Sequence, residues 1–284
     1  MTLCLAWGNE NGIYFASDSR GGTDENYIDT LIKVMDVHVK IETPVVNGTT
    51  ETVYEQTLGL CFSGSTLNSL VVKEHISESL RHLQFAPGFA EISLENICIT
   101  IGNFLKTITS DFSHGYGWEP ETVFLVGGYC PVLKMIAVYR LELYPGDDED
   151  EYELSIERMM EDPEEICYIG SGQDHARDLI EQMDEPGTND ILRTLRGICL
   201  DDNHPDVGGF PQLGKFENKN FVLRGIKNYR IDEYDEITLL YTYRGLIMHE
   251  GDFAVDETQL QIRMKYLCPF EKEINAHFDR KING

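Results

Sequence analysis

Two short apolar runs separated by turn residues open the chain. Residues 3–7 have the length of a strand, residues 8–12 hold glycines and asparagines that accept positive φ cheaply, and residues 13–16 form a second β-favouring run. This pattern predicts a β-hairpin. The second run ends abruptly in the polar and charged segment Ser17-Asp18-Ser19-Arg20.

The β-type pattern then continues as far as residue 62. Valines at positions 34, 37 and 39 favour strands, Asn47-Gly48 is typical of a hairpin turn, and residues 58–62 have the composition of a buried strand. After Ser63-Gly64-Ser65 the spacing of apolar residues changes to three and four. This change predicts a helix over residues 65–84 and a second helix over residues 93–111.

A similar order of elements follows in the second half of the chain. Strands are predicted over 122–130, 133–141 and 166–169, helices over 176–183 and 191–200, and final strands over 237–243 and 246–249. Residues 203–230 are expected to be irregular, and the tail from residue 255 is compatible with a helix. Strands, two helices, strands and two helices predict one α+β domain of packed layers.

The charge of the chain limits its partners. Its 284 residues carry 23 Lys and Arg against 49 Asp and Glu, a net charge of −26. Nucleic acid and anionic membranes require a basic face, so neither partner is expected. The simplest role of the negative charge is solubility, and a preference for cationic peptides is the alternative.

Cysteine usage and the N-terminus predict a cytoplasmic protein. The seven cysteines are odd in number, contain no CxxC pair and lie mostly in apolar runs, which is typical of buried reduced thiols. The first residues lack the basic segment of a signal peptide, and Asn9 and Glu10 interrupt the apolar stretch. No apolar run approaches the roughly 18–20 residues of a membrane span.

Two features suggest a metal site or a catalytic histidine, and simpler interpretations are preferred for both. The acidic run at residues 147–151 follows Pro145-Gly146 and is interpreted as a solvated loop, since consecutive carboxylates on a flexible loop lack a preorganised cage. Residues 113–118 are predicted to form a loop, and His114 lies there with no paired ligand or nucleophile nearby, so a surface histidine is expected.

The first thirty-three residues contain the candidate chemistry. Thr2 follows the initiator Met, and a small second residue permits removal of that Met. Thr2 would then combine a hydroxyl nucleophile with its own α-amino base, whose unperturbed pKa is about 7.7–8.0. Lys33 lies in an apolar context, where its charge needs a partner. Asp18 can hold Lys33, and Lys33 can help the Thr2 hydroxyl lose its proton.

This constellation resembles the proteasome β-type subunits of the N-terminal nucleophile hydrolases. The matching motif consists of Thr2, the pair Asp18 and Arg20 at the end of the second strand, and Lys33. Within that family the pattern is most similar to the bacterial branch called Anbu, which has a Met-Thr start and an SDSR segment.

The resemblance implies the fold and further site residues. It implies a four-layer αββα sandwich formed by one domain over residues 1–284, with an acidic insertion near 142–165 and a C-terminal extension near 246–284. Gly64 of the SGS segment would donate its N–H to the oxyanion. Ser171 of the GSG segment would contact the N-terminal amine, and so would Asp201, with Asp202 as its alternative. The chain departs from the family pattern at residues 40–57 and 142–165, in the tail, and at Gly21-Gly22.

The function implied by this resemblance is hydrolysis of peptide bonds in peptides or unfolded proteins through Thr2, without metal or organic cofactor. It also implies a homo-oligomeric ring or stacked assembly, and an unfoldase partner is left open. Two alternatives remain. One is an amidohydrolase of the same fold that acts on small amides, and the other is a catalytically silent scaffold subunit.

Overall fold

The computed structural model describes residues 2–22, 26–85, 88, 91–117, 121–146, 152–162, 164–232, 234–248 and 265–283. The strands in these ranges are β1 (Cys4–Asn9), β2 (Gly12–Ser17), β3 (Gly21–Gly22), β4 (Tyr27–Ile28), β5 (Val34–Glu42), β6 (Thr52–Gly64), β7 (Leu83–Gln84), β8 (Thr122–Cys130), β9 (Met135–Pro145), β10 (Tyr152–Met159), β11 (Ile166–Ile169), β12 (Gln212–Glu217), β13 (Asn220–Ile231), β14 (Ile237–Tyr243), β15 (Leu246–Ile247) and β16 (Tyr266–Leu267). The helices are α1 (Thr66–Ser79), α2 (Leu94–Tyr116), α3 (Gln173–Glu181), α4 (Thr188–Cys199) and α5 (Glu271–Asn283). None of these helices is long and apolar enough to cross a membrane.

The first sheet is built around the predicted N-terminal hairpin. Its strand order is β11-β1-β2-β12-β13-β14-β15, and β16 also pairs with β13. β1 and β2 pair antiparallel with Leu5 opposite Ala16, which confirms the hairpin. β11 pairs with the other edge of β1, and β12 with the other edge of β2. Residues just before β1 therefore lie beside residues just after β11, because antiparallel partners run in opposite directions.

The second sheet contains the strand that ends in the SGS segment. Its order is β10-β9-β8-β6-β5-β7, and β3 and β4 form a separate pair. β5 and β6 pair over nearly their whole lengths, with Val34 opposite Cys61. Asn47 and Gly48 have φ values of 53° and 79°, and Val46 bridges to Thr49, so the predicted turn is confirmed.

Three apolar clusters hold these elements together. Alternation along β1 assigns its side chains to two of them, because successive residues of a strand face opposite ways. Leu3, Leu5 and Trp7 pack with residues of α3 and α4. Cys4 and Ala6 pack with residues of β6, β8 and β9 in the other sheet. The third cluster joins α1 and α2 to the second sheet.

Most predicted elements are confirmed, with changes at their ends. The helix predicted over residues 65–84 is α1 followed by a 3₁₀ turn at Leu80–His82, and the helix predicted over 93–111 extends to Tyr116 as α2. The strand over 122–130 has the predicted limits. The tail is helical in α5. The segment over 142–165 contains β10, while the acidic run at 147–151 lies outside the described residues.

The prediction that residues 203–230 are irregular is wrong. They contain β12 and the larger part of β13, which pair with each other. A side chain at Gly214 would place its Cβ 2.0 Å from the Phe221 ring, and one at Gly59 would lie 2.6 Å from the same ring. Glycine inside a strand often allows such a close approach, and here it weakened the sequence signal of the strand.

Candidate active site

The pairing of β1 with β11 places Thr2 beside the GSG segment. The Thr2 backbone nitrogen donates to Ser171 Oγ at 3.2 Å, and the Gly172 nitrogen donates to the Thr2 carbonyl oxygen at 3.3 Å. Thr2 is only 2% exposed in the chain that retains Met1. The structure therefore brings Thr2 and Ser171 together, while the contact of Ser171 with a free α-amine stays a prediction.

Gly170 allows this approach of the two segments. Its φ of +98° lies in the region that side-chain-bearing residues rarely adopt. A Cβ atom at this position would lie 2.1 Å from the Thr2 carbonyl oxygen and 3.3 Å from the Ser63 Cβ atom. Ser63 precedes Gly64 in β6, so the GSG segment contacts both Thr2 and the SGS segment.

Asp18 and Lys33 form an ion pair shielded from solvent. Lys33 Nζ lies 2.8 Å from Asp18 Oδ1, and both side chains are 0% exposed. Oδ1 also accepts from the Leu3 nitrogen at 3.0 Å. Asp18 therefore links the ammonium group of Lys33 to the backbone of the residue that follows Thr2.

The second oxygen of Asp18 is held as firmly. Oδ2 accepts from the Arg20 nitrogen at 3.0 Å and from the Gly208 nitrogen at 3.2 Å. A buried carboxylate is costly unless its oxygens are satisfied, and these backbone donors meet that need together with Lys33.

Gln212 positions Lys33 and was missed in the sequence. Its Oε1 accepts from the backbone nitrogens of Lys33 and Val34 at 3.0 and 3.2 Å. Its Nε2 donates to the carbonyl oxygens of Leu31 and Asp18 at 2.6 and 3.2 Å. The side chain is 1% exposed. One glutamine in a segment expected to be irregular gives no sequence signal for this role.

Gly64 lies at the junction between β6 and α1. Its φ is +94°, and a Cβ atom there would lie 2.0 Å from the Glu121 carbonyl oxygen, so the position requires glycine. The Ser65 nitrogen donates to the same oxygen at 2.7 Å, and Ser65 Oγ accepts from the Asn68 nitrogen as the cap of α1. The strand, turn and helix are confirmed, while the role of the Gly64 N–H stays a prediction.

Asp201 lies after α4 and makes local hydrogen bonds. Its Oδ1 accepts from the backbone nitrogen and Nδ2 of Asn203, at 2.9 and 2.7 Å. These bonds are the main cause that holds the pKa of Asp201 below its usual value, and the nearby His204 and His175 add a smaller effect in the same direction. The hydrogen bonds of this carboxylate do not reach Thr2 or Ser171, so its role at the amine stays a prediction. Asp202 is exposed.

Arg20 anchors the polar segment to the loop after α4. It forms a bidentate ion pair with Asp29 at 2.7 and 3.0 Å, and it donates to the Pro205 carbonyl oxygen at 3.0 Å. The hydrogen bond that Arg20 donates to Asp29 raises the pKa of Arg20. A cavity of about 590 Å³ lies beside Arg20 and Asp29, and its lining includes Asp201 but neither Thr2 nor Lys33.

The cysteines offer no competing nucleophile in this region. Cys4 lies two residues from Thr2 and is fully buried, as predicted. Its thiol donates to the Phe62 carbonyl oxygen at 3.0 Å. Burial also raises the pKa of the Cys199 thiol well above its usual value. His114 is exposed, as predicted, but it lies in the last turn of α2 and not in a loop.

Comparisons with known proteins identify the fold. No protein-family model and no curated protein matches the chain. Similar solved structures include the Anbu Gly-1 mutant from Hyphomicrobium sp. strain MC1, with 14% identity over 78% of this chain and 84% of that one and a TM-score of 0.51. Anbu (ancestral beta-subunit) from Yersinia bercovieri has 13% identity over 78% and 86%, with a TM-score of 0.53.

A third similar structure covers nearly the whole chain. The helical assembly of the Anbu complex from Pseudomonas aeruginosa has 13% identity over 99% of this chain and 95% of that one, with a TM-score of 0.57. At these identities the likeness establishes the fold alone. The chain therefore has a mixed α/β fold similar to that of Anbu proteins, and the resemblance seen in the sequence is confirmed at this level.

Proposed function

We propose that this chain is a proteasome-like threonine peptidase that hydrolyses peptide bonds through Thr2. The observation that carries the proposal is the position of Asp18 Oδ1, which accepts from Lys33 Nζ at 2.8 Å and from the nitrogen next to Thr2 at 3.0 Å. A nucleophile, a charged lysine and an orienting carboxylate are the parts that acyl transfer by an N-terminal threonine requires.

Removal of Met1 starts the proposed mechanism, because it frees the Thr2 amine. The Thr2 hydroxyl attacks the peptide carbonyl carbon and gives its proton to this amine, while the Gly64 N–H stabilises the oxyanion. The amine then returns the proton to the leaving nitrogen as the peptide bond breaks. Water, deprotonated by the same amine, attacks the ester carbonyl carbon. The amine then returns that proton to the Thr2 oxygen as the ester bond breaks, which releases the second product and restores Thr2.

The surrounding residues position these groups. Lys33, held by Asp18, favours loss of the hydroxyl proton through its positive charge, and Ser171 holds the Thr2 nitrogen. Asp201 is proposed to act on the amine after Met1 is removed. No metal or organic cofactor takes part in these steps.

The proposal includes a four-layer αββα sandwich formed by residues 1–284 as one domain. The three apolar clusters support this arrangement of layers. One cluster joins the two sheets, and each of the other two joins one sheet to a pair of helices. We further propose a homo-oligomeric assembly, supported by the helical assembly of the Pseudomonas aeruginosa Anbu complex. Sedimentation of the purified chain tests this point, and a stable monomer would contradict it.

The test of the nucleophile begins with the intact mass of the native protein. Loss of one Met would free the α-amine of Thr2. A retained Met1 would keep that amine blocked and favour the scaffold alternative. Processed wild type is then compared with Thr2→Ala and Thr2→Ser on a library of peptides and small acyl amides. Both variants keep a small second residue, so removal of Met is unchanged.

The expected result is a loss of at least about 10³-fold for Thr2→Ala and partial activity for Thr2→Ser, because serine keeps a hydroxyl. Thr49→Ala is the control, since this exposed hydroxyl only closes a turn. Cleavage of peptides by Thr2→Ala at the wild-type rate would refute the proposal. Cleavage of small amides alone would establish the amidohydrolase alternative.

A further inference from the structure

Two histidines and one aspartate converge beside the candidate active site. His175 lies in the first turn of α3, and Asp201 and His204 lie in the loop after α4. Each side chain offers one ligand atom, and the three atoms lie within 4.8 Å of one another. His175 is distant in sequence from Asp201 and His204, so the fold itself brings α3 to this pair.

The two imidazole rings are available as ligands. Their centroids are 4.1 Å apart with 24° between the ring planes. Neither ring makes a hydrogen bond to any residue that the structure describes. Both side chains are half-buried, so they are sheltered from bulk water without being closed to an ion.

Asp201 is oriented with one oxygen free for a ligand. Both hydrogen bonds from Asn203 end on Oδ1, and Oδ2 receives none from the described part of the chain. Hydrogen bonds of this kind to a coordinating carboxylate fix its direction in known metal sites. The pair of bonds to Asn203 therefore leaves Oδ2 available to a ligand.

We propose that His175, Asp201 and His204 bind one divalent transition-metal ion of the Zn²⁺ type. Two imidazole nitrogens and one carboxylate oxygen suit such an ion, whereas Mg²⁺ and Ca²⁺ select sets of oxygen ligands. Ligands of one tetrahedral zinc ion lie about 3–4 Å from each other, so small side-chain rotations close the observed cluster onto the ion. Three protein ligands leave a coordination position for water.

The ion would connect the two segments that hold the candidate active site. His175 follows Ser171-Gly172, whose atoms contact Thr2. The His204 carbonyl oxygen accepts from the Val207 nitrogen at 3.1 Å, and the next residue, Gly208, donates to Asp18. A metal bridge between α3 and this loop would reduce local opening at both. The binding does not depend on the proposed peptidase activity, and a bound ion would hold Asp201 as a ligand in place of its proposed role at the Thr2 amine.

Calorimetric titration of the untagged, chelator-treated full-length protein with Zn²⁺ tests the proposal. We expect one site per chain, and we expect His175→Gln, His204→Gln and Asp201→Asn each to weaken binding by at least about tenfold. His82→Gln is the matched control, because His82 is exposed and, among the described residues, pairs with Glu78 alone. The affinity of this variant for Zn²⁺ should stay at the wild-type value. Co²⁺ in place of Zn²⁺ gives a ligand-field absorption band that the three ligand variants lose.

Hydrogen exchange gives a readout that does not require activity. Zn²⁺ is expected to slow amide exchange at residues 171–176 and 201–208 in wild type and not in His175→Gln. Absence of Zn²⁺ binding by the folded wild-type protein would overturn the proposal, and so would wild-type affinity in His175→Gln and His204→Gln. Either outcome leaves the proposed role of Thr2 untouched, since that role is tested by its own variants.

Discussion

Lys33 Nζ and Asp18 Oδ1 lie 2.8 Å apart with both side chains fully shielded from solvent. Removing two charges from water is expensive, and their attraction compensates only when the remaining hydrogen-bonding positions are filled. The backbone nitrogens of Leu3, Arg20 and Gly208 supply those bonds to the carboxylate. The pair is therefore tolerated because three other parts of the chain support it.

Removing one partner of this ion pair is expected to destabilise the fold strongly. Lys33→Met leaves a buried carboxylate without its counter-charge and should lower the free energy of unfolding by about 3–5 kcal/mol. Lys40→Met is the control, because Lys40 pairs with Glu42 at a partly exposed position and its loss should cost much less. Urea unfolding measures both. Equal losses in the two variants would contradict the assigned importance of the buried pair.

Gln212→Ala is expected to weaken both stability and turnover. It removes the partners of four buried backbone groups, which should cost about 2–4 kcal/mol in unfolding free energy, and it frees the backbone of Lys33. Gln56→Ala is the control, since Gln56 is also buried but accepts from Tyr129 in the other sheet. We expect turnover per folded molecule to fall for Gln212→Ala alone. A shared fall would point to a general loss of packing.

Gly170→Ala is expected to damage the site more than the fold. The added Cβ collides with the Thr2 carbonyl oxygen, and a displacement of the nucleophile of about 1 Å is enough for a loss of about 10²-fold in rate. Gly48→Ala has a similar positive φ with open space around the position, so it should cost about 1–2 kcal/mol of stability and leave the rate unchanged. Kinetics and urea unfolding on both variants separate the two effects. Wild-type turnover in Gly170→Ala would show that Thr2 tolerates the collision.

Stability is expected to fall in alkaline solution. Burial raises the pKa of the Cys167 thiol to about 12 and that of the neighbouring Tyr168 hydroxyl to about 12. A raised pKa means that the folded state holds the proton more tightly than the unfolded state. The stabilising effect is therefore complete below the unfolded pKa of about 8.5–10 and is lost as pH rises towards 12.

Cys167→Ala tests this pH dependence. Between pH 9 and 11 the wild-type free energy of unfolding should fall by about 2 kcal/mol more than that of the variant, because only wild type releases this thiol proton on unfolding. Cys268→Ala is the control at a half-buried cysteine and should follow the wild-type curve. Parallel curves for wild type and Cys167→Ala would refute the assignment.

The sequence predicted the elements whose signals are local. The hairpin of β1 and β2, both long helices and the strand β14 follow from apolar spacing and turn residues over short windows. The likeness of the first thirty-three residues to a known motif then identified Asp18 and Lys33, which the structure pairs. For Ser171, the contact with Thr2 depends on the β1–β11 pairing, which only the motif suggested.

The remainder depends on contacts between distant residues. β12 pairs with β2, and its Gly214 makes room for the Phe221 ring. Neither of these distant contacts can be recognised from the residues of β12 alone. Gln212 forms hydrogen bonds with four backbone groups far away in sequence. Every residue type has a backbone, so the identities of these partners do not indicate the contact. The His175, Asp201 and His204 cluster likewise forms only when the loop after α4 meets the start of α3.

The hydrogen bond from the Gly208 nitrogen to Asp18 spans most of the chain and has a consequence for synthesis. Thr2, Asp18 and Lys33 emerge first from the ribosome, but Ser171, Gly208 and Gln212 emerge much later. A nascent or truncated chain thus contains the reactive groups without the residues that align them. Contacts of such long sequence separation also form slowly. Under the proposed function, the order of translation therefore delays assembly of the site until the second half of the chain has been made.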